Sequence, residues 1–274
     1  MPPASAARPG ARQERFPWEP ESVNRANLAL AAVRQLIVQK IPPQGATAPS
    51  VLAAAGALVG AAAQNAALEQ GELLTVRRDL VAPESLMLRE TKDGRRYLAG
   101  RWITAPLLLG YGHGFPLQRF VVQAGSAGGM KRTDFPDYWE LERRVSKAAA
   151  DRGELGTLAA TDGRPATARL PDLLRALWPA TRRIMIAPMP LEFADEPVLH
   201  EAHWPALLAL VAARLMAQTK DLVPAPVAAD LVMESAIMAS KLDPDLAERG
   251  RWLLAPGPRG LQIARDDRKR QRVA

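Results

Sequence analysis

Residues 51–71 read VLAAAGALVGAAAQNAALEQG, with Gly56-Ala57-Leu58-Val59-Gly60 at the centre of the alanines. Alanine is the strongest helix former. Pro49, behind the possible cap Thr47, marks the first turn of a helix over Ser50–Glu69, where a missing amide hydrogen costs nothing. Glycines four apart strip one face of side chains, so a second helix can approach it closely. In a membrane the same pattern suggests helix pairing. The apolar run Val51–Ala63 ends at Gln64 and Asn65, however, well short of the roughly 20 residues that a span needs. The stretch is therefore expected to be a buried central helix.

Prolines mark the other helices in the same way, each ahead of an apolar run of helical period. Pro20 opens a segment to about Lys40 with Val23, Ala26, Leu30, Val33 and Ile37 on one face. Pro136, behind Asp134, opens Asp137–Ala150, whose stripe is Tyr138, Leu141, Val145 and Ala148. Its acids come first and its bases later, which suits the helix dipole. Pro171, Pro205, Pro226 and Pro244 open four more, the last behind Asp243 as N-cap. One region reads differently. Glu72–Arg78 suggests a short strand after Gly71 as a helix C-cap. Ser85–Thr91 and Arg95–Gly100 flank Lys92-Asp93-Gly94, a hairpin turn signal. The expected fold is thus α+β and predominantly α-helical, with seven or eight helices and a small antiparallel β-hairpin sheet near residues 72–101. Arg152–Leu170 and Thr181–Pro197 read as loops. A single domain over 17–261 is expected between loose ends at 1–16 and 262–274.

Composition limits the chemistry. With 48% hydrophobic and 24% charged residues over 274 positions the chain is globular, and Cys 0 excludes disulfides, thiolate metal sites and cysteine nucleophiles. The net charge is +7, and Arg265–Arg272 holds five cations against two anions, so nucleic-acid contact through a basic C-terminal tail is one alternative function. Residues 1–16 lack the apolar core of a secretory signal, and a cytoplasmic protein with no membrane segment is expected.

Three constellations could carry chemistry. His113-Gly114-Phe115-Pro116 resembles the oxyanion-loop segment of α/β-hydrolases, and Ala124-Gly125-Ser126-Ala127-Gly128 loosely resembles their nucleophile elbow. The two lie too close together for the strands and helix that separate them in that fold. His200-Glu201-Ala202-His203 is one residue short of the zinc-protease spacing. His200 and His203, with Glu196, are the candidate metal ligands, although Trp204-Pro205 suggests that they lie on a loop before a helix. Glu234, among apolar neighbours and near Lys241, could be a tuned acid or base, or a structural ion pair. Met185, Met189, Met216, Met233 and Met238 suit core filling. No dinucleotide, Walker or EF-hand motif occurs, and no cofactor is expected.

No nucleophile, base and orienter combine into a catalytic set. The expectation is a non-enzymatic binding or scaffolding module, self-associating as a homo-oligomer through an apolar helix face, with Tyr111 and Trp204 as candidate binding residues. The alternative is a small-molecule, hydrolase-like enzyme whose catalytic candidates His113, Glu234 and Lys241 are brought towards His200 by the fold. A cavity holding two of His113, His200 and Glu234 would favour the enzyme, and their dispersal the binding module.

Overall fold

The alanine-rich stretch folds as one helix of 29 residues with other helices laid around it. The computed structural model describes residues 23–41, 48–76, 81–82, 84–91, 94–109, 115–152, 169–188, 190, 195, 199–246, 251–257 and 260–265. In chain order the elements begin with α1 (Val23–Lys40), α2 (Ala48–Val76) and a hairpin of β1 (Met87–Glu90) and β2 (Arg96–Ala99). Then come α3 (Arg101–Thr104), continued by a π-helical turn at Ala105–Leu109, α4 (Leu117–Ala127), α5 (Tyr138–Arg152) and α6 (Leu170–Ile186). The chain closes with α7 (Trp204–Gln218), α8 (Ala225–Lys241) and a second hairpin, β3 (Trp252–Gly257) and β4 (Gly260–Arg265). This is a mostly helical α+β architecture with two separate antiparallel hairpins.

The glycine pair decides how α2 meets α8. A Cβ on Gly56 would overlap Ser235 Oγ and the Val232 carbonyl, and one on Gly60 would overlap the Ala236 carbonyl and lie 2.8 Å from Ser240 N. The facing positions on α8 are themselves small. Ser235 Oγ donates back to Leu231 O at 2.6 Å and Ser240 Oγ to Ile237 O at 2.8 Å, so neither hydroxyl is left unpaired in the contact. Gln64 and Asn65, which end the apolar run, stay inside the helix because their amides find partners. Gln64 Nε2 donates to Ser240 O at 3.1 Å and Leu242 O at 2.5 Å, closing the C-terminus of α8. By length and composition α2 could cross a membrane, yet 89% of its apolar window is buried by the rest of the chain. It occupies the position of a core helix.

Proline sets several helix starts as expected. Pro171, Pro205 and Pro226 lie in the first turns of α6, α7 and α8, and Asp137 Oδ1 caps α5 by accepting from Trp139 N and Glu140 N. Asp243 accepts from Asp245 N as an N-cap should, but the described residues after it form a short 3-10 turn, Pro244–Leu246. Pro179 lies inside α6. The carbonyl it leaves without a helical donor is that of Arg175, on the exposed side of the helix, where water can serve it.

Four expectations need correction. Residues 72–76 are helix and not strand, because α2 continues through Gly71 to Val76. Gly71 is no cap: a Cβ there would overlap Ile263 Cδ1, so its smallness admits β4. Residues 262–265 belong to β4 and not to a loose tail, since Leu261 and Ile263 alternate inward against Ala67, Leu68 and Trp252. Thr181–Ile186 is the end of α6, with Thr181 and Met185 buried. The expected tails at 1–16 and 266–274 and most of the Arg152–Leu170 loop lie outside the described residues.

Candidate functional site

At the C-terminal end of α2 a groove of about 490 Å³ opens between α2, α3 with its π turn, the end of α6 and the entry to α7. Leu73, Trp102, Pro106, Ile186 and Trp204 supply its apolar walls, with Leu73 55% and Ile186 45% exposed at the rim. Trp204 is fixed from behind. Its Nε1 donates to Leu199 O at 3.1 Å and its ring meets Trp178 edge-on at 6.3 Å. The exposed leucine and isoleucine extend the apolar wall to the rim of this concave surface.

Most polar groups of this groove are already engaged. His200 Nδ1 accepts from Ala202 N at 3.1 Å, which caps the 3-10 turn Glu201–His203 and leaves the ring proton on Nε2. Glu201 accepts from Asn65 Nδ2 and lies 3.7 Å from Arg251. Glu69 takes Arg251 at 2.9 Å and also Arg265, whose Nε pairs with Glu72 at 2.7 Å. Both guanidiniums lie over the Trp252 ring, 4.9 and 5.4 Å from its centroid. The sequence reading missed this cluster, and it assigned Arg265 to a basic tail. Its partners sit almost 200 positions earlier, and the one visible signal was the in-out alternation of β4.

The other predicted residues go elsewhere. Glu234 and Lys241 do not pair with each other. Both face α5, with Lys241 Nζ 2.8 Å from Glu142 Oε1 and Arg144 Nη2 3.6 Å from Glu234 Oε1. Burial pushes the Glu142 carboxyl up, but the Lys241 ammonium, the Ser146 hydroxyl and Arg143 outweigh it and hold the group below its usual value. Burial, then the nearby Asp230 charge, raises the Tyr138 hydroxyl well above the ordinary phenol value. Glu234 lines neither this groove nor the cavity described next. Ser126 stands exposed in the last turn of α4 and not at a strand-to-helix elbow. His200 and His203 lie with ring centroids 6.1 Å apart, and among the described residues no group of three possible ligands surrounds them. Tyr111, His113 and Glu196 fall outside the described residues. Met185, Met216, Met233 and Met238 are core.

A second cavity of about 450 Å³ lies between the β1–β2 hairpin, the start of α6 and the turn after α8. Arg95, Arg96, Arg169 and Arg175 line it beside Asp172 and Asp243. No protein-family model, curated protein or solved structure matches this chain.

Proposed function

We propose that this protein is a non-enzymatic binding module that holds a small, largely apolar organic molecule in the groove at the end of α2. One observation carries the reading: the groove is apolar-walled, and among the described residues its two carboxylates are held by Asn65 and by arginines while His200 Nδ1 caps its own turn. Its volume falls within the roughly 300–1,000 Å³ of small-molecule sites, which are mostly apolar with a few orienting polar groups. A general acid or base must exchange a proton with the substrate. Glu69 is held between two arginines, Glu201 by Asn65, and the His200 Nδ1 lone pair is spent on a cap. What remains is the His200 Nε2–H donor, suited to orient a ligand carrying one acceptor.

The neutral dye 1-N-phenylnaphthylamine, titrated against the full chain, tests this reading. Saturable binding is expected, weakened about tenfold or more in Leu73→Glu and Ile186→Glu, equivalent to at least ~1.4 kcal/mol. Both side chains are exposed, so neither variant disturbs the core. Binding that is absent, or equal in the variants, overturns the proposal. So does a concentration-dependent dimer in sedimentation that Leu73→Glu dissolves, because the groove would then belong to a second copy of the chain.

A further inference from the structure

We infer that the arginine-lined cavity is a second, separate site, built to take a small organic anion bearing phosphate or carboxylate groups. It shares no lining residue with the apolar groove. Four guanidiniums and two carboxylates line about 450 Å³ of cavity. They arrive from distant parts of the chain: Arg95 and Arg96 from the hairpin, Arg169 and Arg175 from the start of α6, with Asp243 from the end of α8.

Asp172, Asp243 and Asp245 position two of these arginines and do not consume them. Arg96 meets Asp243 through Nε at 3.0 Å and Nη2 at 3.3 Å, and Nη2 also reaches Asp245 at 3.1 Å. Arg175 meets Asp172 through Nη1 at 2.6 Å. A guanidinium carries five N–H donors in a rigid fork, so each of these ion pairs fixes the side chain while leaving further donors for a second oxyanion. Guanidiniums pair with phosphate and carboxylate through parallel hydrogen bonds, which favours these over halide. The 17-residue α6 begins at this cavity, and the positive end of its dipole adds to the same field. Pro171, Leu242 and Leu246 complete the wall with apolar surface, which suits an anion attached to an organic body.

Calorimetric titration of the full chain with pyrophosphate and, separately, with citrate tests the site, at ionic strength held constant with NaCl. Saturable binding of at least one is expected, and which one binds tells phosphate from carboxylate ligands. Arg169→Ala and Arg175→Ala are each expected to weaken it about tenfold or more, the scale of a hydrogen bond to a charged group. Arg132→Ala removes an exposed arginine that does not line the cavity and should leave the affinity unchanged. Asp172→Asn removes a negative charge from the wall and is expected to tighten binding several-fold. The inference is overturned if neither anion binds, if Arg132→Ala loses as much affinity as Arg169→Ala, or if Asp172→Asn weakens binding.

Discussion

Gly56 and Gly60 matter for what they lack. Leucine at position 56 would gain about 0.8 kcal/mol in helix propensity over glycine. Overpacking against Ser235 and the Val232 carbonyl costs about 3 kcal/mol, because backbone cannot rotate away as a side-chain tip can. The second term wins, so Gly56→Leu is expected to lower the urea midpoint sharply. An unchanged midpoint would mean that α2 and α8 are not in contact there. Gln64 acts through donation. Gln64→Leu keeps the volume but leaves the Ser240 and Leu242 carbonyls without a donor at the end of α8, an expected loss of about 1–3 kcal/mol in equilibrium unfolding.

At the scale of elements, α5 is the most instructive helix. Tyr138, Leu141 and Val145 bury its apolar stripe, and Glu142 and Arg144 pair with Lys241 and Glu234 on α8. The folded Glu142 carboxyl lies below its usual value near 4.3. The stability this contributes is therefore complete above about pH 4.3 and is lost as pH falls through the lowered folded value. Urea midpoints measured between pH 6 and pH 3 should show that loss in the native chain and a shallower one in Glu142→Gln. At neutral pH the same variant leaves the Lys241 ammonium buried beside a neutral amide, an expected cost of about 3 kcal/mol. The Tyr138 hydroxyl tests the opposite sign. It is buried without a hydrogen-bond partner among the described residues, so Tyr138→Phe should leave stability unchanged or raise it by about 1 kcal/mol. A loss larger than that would show the hydroxyl to be satisfied in solution.

At the scale of the whole molecule, the chain holds a large helical core and a smaller one where the two hairpins meet the second half of α2. Arg265 links the second hairpin to α2 through Glu69 and Glu72 and covers Trp252. Arg265→Ala should therefore raise amide hydrogen exchange along β3 and β4 while leaving α7 and α8 protected. Equal protection in both proteins would reduce these ion pairs to surface ornament. The same change leaves Glu69, beside the groove, paired with Arg251 alone, so weaker dye binding is expected to accompany it.

How much of this was legible follows from distance along the chain. Proline in a first helical turn, alanine propensity and the Asp93-Gly94 turn all act within about four residues, so the helices, the first hairpin and the predominantly helical class could be read from local sequence. The smallness of Gly56 and Gly60 announced a close helix contact without naming α8 as the partner. Gly71 misled because a glycine that ends a helix and one that admits a neighbour look alike in sequence. The sites were not legible. Lys241 meets Glu142 across 99 positions and Arg96 meets Asp243 across 147, and both the apolar groove and the arginine cavity are assembled from elements remote in the chain. By itself the sequence determined where most helices begin, which faces are apolar and which chemistries the lack of cysteine excludes. Only the tertiary structure decided which charges neutralise one another and which side chains share a cavity, because those choices depend on burial and on contacts that no local rule encodes.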